Sequence, residues 1–105
     1  MSKTITVRAD FRDTIINLSE ITRIEALADY VIIRTKTDKI VTVSTMKGIL
    51  SRLPEKFIRT HRSHIVNSAK IKSANYKAVI LPGKVVVPVG RAFWKELRDK
   101  LRTAA

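Results

Sequence analysis

Cysteine is absent from the 105-residue sequence, which excludes a disulfide scaffold, thiol catalysis and cysteine-ligated zinc. So small a chain must then be held by packing alone, and the missing thiols fit a reducing, cytoplasmic setting. Glycine is scarce too: Gly48, Gly83 and Gly90 stand far apart, so no glycine-rich loop can cradle a phosphate. The longest apolar runs are four or five residues, such as Val85 to Val89, and no charged-then-apolar leader opens the chain. Neither secretion nor membrane spanning is expected, and no membrane partner. The length leaves room for a single domain, residues 1–105, and excludes a two-domain enzyme.

Acidic residues are the other deficit. Nine carboxylates face 21 lysines and arginines, a net charge of +12, and the imbalance is concentrated. Residues 1–56 carry a net +3 and residues 57–105 a net +9. Between Glu55 and Glu96 no carboxylate occurs, while Lys56, Arg59, Arg62, Lys70, Lys72, Lys77, Lys84, Arg91 and Lys95 all fall in that window. Such a stretch suits a polyanion, and nucleic acid is favoured over a merely solvated surface or an acidic membrane or protein. Charge alone does not separate DNA from RNA.

What is plentiful is β-branched: Val, Ile and Thr number 33, against seven leucines, a balance that favours strands because these side chains are stiff and sit well on a pleated surface. Leu, Ile, Val and Phe also total 33, enough for a core. Thr4 to Arg8 alternates Ile5 and Val7 inward; Thr14 to Leu18 and Ile21 to Ala26 read as further strands. Tyr30 to Thr35 and Lys39 to Val43 flank a short polar turn. Met46, Ile49, Leu50 and Leu53 then fall on one stripe of a short helix, with Ser44 or Thr45 to cap it and Pro54 to end it. Phe57 to Thr60, His64 to Asn67 and Ile71 to Asn75 read as strand pieces. Lys77 to Leu81 and Lys84 to Val87 bracket Pro82 and Gly83, the order a type II turn requires. Pro88 bars a central strand, and Phe93, Leu97 and Leu101 predict a closing helix from about Arg91.

Candidate chemistry centres on Arg59-Thr60-His61-Arg62-Ser63-His64. Two histidines without a third ligand or nearby carboxylate do not make a zinc site, so no metal is expected. Ser63 with a histidine base lacks an orienting acid and an oxyanion hole, so an enzyme is not expected either. No cofactor or small-molecule substrate is implied. What remains is a basic, hydroxyl-bearing corner: guanidiniums suit guanine edges or phosphates, and Thr60 and Ser63 can donate to phosphate oxygens. A small RNA-binding module is the alternative, weakened because only six aromatics are present and Phe57, Phe93 and Trp94 stand at core-like positions. An accessory protein-interaction domain is a third reading.

The run Phe57-Ile58-Arg59-Thr60-His61-Arg62-Ser63-His64-Ile65-Val66-Asn67, followed by Ile71, resembles the signature of LytTR-type DNA-binding domains. Ile21 to Ala26 with Tyr30-Val31, the leucines Leu50 and Leu53, and Val87-Pro88-Val89-Gly90-Arg91 with a following aromatic extend the resemblance over nearly the whole chain. It implies a mainly β, elongated sandwich of short antiparallel strands with one mid-chain and one C-terminal helix. It also implies a bacterial transcription regulator that places loops in successive major grooves of duplex DNA, bends it, and binds repeated half-sites, with a second copy as a possible partner. Arg62, Arg91 and the loop at Asp29 and Tyr30 correspond to base-reading positions. Arg59, His61, Ser63, Lys70, Lys72 and Lys95 are expected on the DNA backbone. Where the family often carries an aromatic, this chain has His64; where it often carries a serine, Gly90 leaves only a backbone N–H for a phosphate. Such domains usually follow a phosphoryl-accepting receiver, which these residues do not include; an excised effector domain and a stand-alone regulator both fit.

Overall fold

The computed structural model describes residues 3–104, the side chain of Ala104 excepted. Ten strands, two α-helices and short 3-10 turns form a mainly β domain of 38 × 29 × 26 Å. Strands β1 (Thr4–Ala9) and β2 (Arg12–Asn17) form an isolated hairpin. Its two-residue turn places Asp10 at φ 51° and Phe11 at φ 62°, the left-handed conformations of a type I′ turn built here without glycine. The central sheet contains β3 (Ile21–Leu27), β4 (Tyr30–Thr35), β5 (Lys39–Val43), β6 (Phe57–His61) and β7 (His64–Asn67), in the order β5-β4-β3-β7-β6. A third sheet has the order β10-β9-β8, from β8 (Ser73–Ala74), β9 (Ala78–Leu81) and β10 (Val85–Pro88). All pairings are antiparallel.

Successive side chains point to opposite sides of the central sheet, so it packs a core on each face. Ile24, Val31, Ile33 and Ile65 point to one face, where they pack with Ile5, Val7 and Ile16 of the hairpin and with Met46 and Ile49 of α1 (Met46–Ser51). Ile58 and Val66 point the other way and pack with Val79, Leu81, Val87 and Leu97, the last from α2 (Trp94–Ala104). Each such side chain contributes about 1.5–3 kcal/mol when fully buried. Only the β6–β7 side of this second face is covered. On the β3–β5 side Ile32 is buried beneath the Arg23, Glu25 and Arg34 side chains, and only the end carrying Leu27, Tyr30 and Val43 is open.

Local signals explain most element ends. The Thr45 hydroxyl accepts from the Gly48 N–H at 2.9 Å and caps α1. Gly83 sits at φ 80°, as the Pro82-Gly83 turn requires, and Pro88 lies in the edge strand β10. Three expectations shift. Strand β2 starts at Arg12 and stops at Asn17, with Leu18 opening a 3-10 turn. The strand expected over Ile71 to Asn75 shrinks to Ser73–Ala74. Asn67 caps a 3-10 turn over Ser68–Lys70 by accepting from the Ala69 N–H, and the Asn75 side chain accepts from the Lys77 and Ala78 N–H groups, so side chains compete with the ladder at both ends. The closing helix begins as a 3-10 turn, Arg91–Phe93, before α2.

Candidate nucleic-acid interface

The turn between β6 and β7 contains only Arg62 and Ser63, since His61 pairs with His64. Three bonds hold it. The Arg59 guanidinium donates to the Arg62 carbonyl at 2.6 Å, the Ser63 N–H donates to His61 Nδ1 at 3.1 Å, and the Ser63 carbonyl accepts from the Ala26 N–H at 2.9 Å. Arg59 also lies over the Phe93 ring, 5.6 Å from its centroid. With its backbone fixed, Arg62 projects into solvent.

The bond from Ala26 brings in the β3–β4 turn, because Ala26 is near the end of β3 and Leu27 pairs with Tyr30 across Ala28 and Asp29. Arg91 arrives from the other side. The Gly90 N–H donates to the Thr60 carbonyl at 2.7 Å, and the Thr60 hydroxyl donates to the Pro88 carbonyl at 3.2 Å, docking the segment before Arg91 against β6. A Cβ at position 90 would come 3.1 Å from Phe93 Cδ2 and 3.5 Å from His61 Cδ2, so glycine permits this close approach. Arg62, Arg91 and the Asp29–Tyr30 turn thus share one end of the central sheet. Arg62, Arg91 and Asp29 are exposed, and Tyr30 is 46% exposed. None of the ion pairs among the described residues involves Arg59, Arg62 or Arg91.

The remaining candidates divide. His61 and Ser63 flank Arg62, with the His61 and His64 rings edge to face at 5.4 Å, and Lys95 follows Arg91 on the exposed side of α2. Lys70 and Lys72 do not join them. Lys70 follows β7 at its opposite end and lines a cleft of about 870 Å³ with Arg23, Arg34, Lys36, Pro82 and Gly83. The Lys72 N–H bonds the Ile80 carbonyl on that same side of the third sheet. At about 3.4 Å per strand residue, the two ends are on the order of 10–17 Å apart.

Three of the donors that the sequence offers for phosphates make bonds inside the domain. Thr60 is fully buried and its hydroxyl is engaged, and the Gly90 N–H is already committed to Thr60. Arg59 is turned to hold the turn, with its Nε buried and without a hydrogen-bond partner among the described residues. Asn67, a signature residue, is structural: wholly buried, it donates to the Ile21 carbonyl and accepts from Ala69. Lys77, one of the cations of the acid-free window, joins this end of the molecule. Its carbonyl accepts from the N–H of Val89, two residues before Arg91, and its ammonium lies over Tyr76. The signal was available, because placing the Pro82-Gly83 turn at one end of the hairpin fixes Lys77 and Pro88 at the other.

Charge is tuned beside this end. Burial works to raise the pKa of Glu25, but the hydrogen bond from Arg34 and the charge of Arg23, 3.2 Å away, hold it below the usual carboxylate value. Burial lowers the pKa of His64, and the neighbouring His61 adds to the effect; Glu25 opposes it. No three His, Cys, Asp or Glu side chains cluster as a metal site among the described residues, and no helix there is long and apolar enough to cross a membrane.

Comparison with known proteins accords with this geometry. A solved LytTr DNA-binding domain from Bacillus cereus, described as part of a methyl-accepting/DNA response regulator, superposes with a TM-score of 0.81 over 96% of this chain and 98% of its own, at 20% sequence identity, and shows the fold. The sensory transduction protein LytT of Enterococcus faecalis (strain ATCC 700802 / V583) is 41% identical over 63 residues. That match covers 54% of this chain and 26% of the relative, so the chain corresponds to only part of that protein's length. The family model for the LytTr DNA-binding domain matches residues 12–102, from the first residue of β2 to the last turns of α2, and the chain accordingly belongs to the LytTR family of DNA-binding domains.

Proposed function

We propose that this domain is a sequence-specific transcription regulator of duplex DNA, acting as the effector part of a response regulator in a bacterial two-component system. The observation that carries the proposal is the convergence of Arg62, Arg91 and the Asp29–Tyr30 turn at one end of a rigid sheet, with both guanidiniums exposed and free of carboxylates. A guanidinium in the major groove forks onto the N7 and O6 acceptors of guanine, and Arg62 and Arg91 are assigned that task. Asp29 accepts from a cytosine amino group, and Tyr30 contacts a neighbouring edge. His61, Ser63, Lys77 and Lys95 surround the readers and take the phosphates.

This is loop readout, different from a recognition helix laid in the groove. The family name and the LytT relative support DNA binding and signal transduction, and the net charge of +12 supplies the phosphate term. Binding to repeated half-sites, with bending that brings the Lys70 and Lys72 end toward the backbone, completes the reading. If six to ten phosphates are neutralised, log K falls with log salt at a slope of roughly −5 to −9.

The test is selection from a randomised duplex pool at about 150 mM salt, a condition fixed because the phosphate contribution moves with it. Arg62→Ala is run in parallel. An enriched motif that blurs at defined positions in the variant supports the reading. Binding that tracks charge alone, without enrichment, refutes it.

A further inference from the structure

The β3–β5 half of the second face is graded along its strands, from a polar row through a middle row in which Ile32 is buried to an open end. Cross-strand partners share a face, so Lys39, Arg34 and Arg23 form one row at the far end, and Val43, Tyr30 and Leu27 form another at the end that carries Arg62. The second row is apolar and open: Val43 is 72% exposed, Leu27 57% and Tyr30 46%. Val41, two residues back on the same face, is 41% exposed. The fold does not account for this row, since the core on the opposite face is completed by Val31, Ile33 and Ile24.

Its position gives it a use. Leu27 follows Ala26, whose N–H bonds the Ser63 carbonyl, and Ser63 follows Arg62. One residue step of 3.8 Å and one strand spacing of about 4.8 Å place the Leu27 backbone roughly 6–9 Å from the Arg62–Ser63 turn. That is about two base-pair steps, within a major groove about 12 Å wide. The apolar feature that groove offers is the C5 methyl of thymine.

We propose that Leu27, Val43 and the ring of Tyr30 form an apolar strip that reads thymine methyl groups in the same major groove that Arg62 enters. The inference rests on the DNA reading above and specifies what that reading leaves open, namely how A·T pairs beside the arginine-read positions are recognised. The strip lies beside the readers without a charge of its own, so its contribution is to sequence preference and not to the salt dependence.

The experiment uses the duplex site obtained by selection with the wild-type domain. Each thymine is replaced singly by deoxyuridine, which removes only the methyl, and affinities are measured for the wild type, Leu27→Ala and Val43→Thr. Thermal melts establish that the variants, altered at exposed positions, remain folded. At one or two thymines, deoxyuridine is expected to weaken the wild type about four-fold, the factor for losing contact with one methyl-sized apolar group. In Leu27→Ala or Val43→Thr the same replacement is expected to matter less than two-fold. Equal deoxyuridine effects in all three proteins, or none in any, overturns the proposal while leaving the DNA reading intact. So does a variant that changes the sedimentation of the free domain but not its deoxyuridine response, which makes the strip a contact between copies. Failure to select any site overturns the parent reading, and this one with it.

Discussion

Replacing Arg59 separates two roles that the same guanidinium could play. The residue sits in the signature and carries charge, so contact with a phosphate is the simple expectation; the structure instead spends its guanidinium on the Arg62 carbonyl at 2.6 Å and on the face of Phe93. A hydrogen bond from a charged donor contributes about 1.5–3 kcal/mol, less where water reaches it, and a cation–π contact at a partly exposed site about 0.5–1 kcal/mol. Arg59→Ala should therefore cost roughly 1.5–2.5 kcal/mol of stability. With an unfolding entropy near 2.1 cal/mol/K per residue, that is a fall of roughly 7–11 °C in Tm. The DNA phenotype discriminates further. Loosening the Arg62–Ser63 turn should reduce affinity for the selected site more than for random duplex, with the salt slope unchanged. Anisotropy titrations on both duplexes at four or more salt concentrations measure both quantities. A slope shallower by about 0.9, with equal losses on the two duplexes, would show that Arg59 neutralises a phosphate and would refute the assignment.

Arg62→Ala and Arg91→Ala should each cost about 1–3 kcal/mol on the selected site and relax preference at particular base pairs, seen by repeating the selection with each variant. On a short duplex of about ten base pairs, Lys77→Ala and Lys95→Ala should each make the salt slope shallower by about 0.9, whereas Lys70→Ala and Lys72→Ala, at the other end of the sheet, should leave it unchanged; the reverse pattern would place the duplex at the wrong end. Thr60→Val keeps the shape of a fully buried side chain but removes the bond to the Pro88 carbonyl, and is expected to destabilise by about 1 kcal/mol in denaturant titration. For His64, the folded state disfavours the charged form, so the unfolded chain takes up its proton first. The stability contribution of His64 is present above its ordinary value of 6.5 and is lost as pH falls below it, until the folded pKa is reached. A chemical-denaturation series across that range should show a decline that His64→Phe removes.

Much of the fold was legible because its signals are local. Alternation at Ile5 and Val7, the Thr45 cap, the Pro82-Gly83 turn and the four-residue spacing of Phe93, Leu97 and Leu101 each depend on a few adjacent residues. The strand expected over Ile71 to Asn75 is cut short because Asn67 and Asn75, outside it or at its end, turn the backbone through side-chain bonds that composition does not reveal. At the site, the residue types were visible and their availability was not. Thr60 and Arg59 look like surface donors in the sequence, but the Thr60 hydroxyl is committed within the domain and the Arg59 guanidinium is turned onto the Arg62 carbonyl.

The sequence by itself pointed to a polyanionic partner, since net charge and the presence of arginines at positions 62 and 91 are properties of residues and not of their arrangement. Tertiary structure alone decided which of the candidate residues share one end of the sheet. Residues 29, 62, 77 and 91 are separated by 14 to 33 positions in the chain and meet only because β3, β6 and β7 share a sheet and the Gly90 N–H docks the start of the last helix on Thr60. Lys70 and Lys72 are nearer to Arg62 in sequence than Arg91 is, yet an extended strand carries them away from it, at about 3.4 Å for every residue.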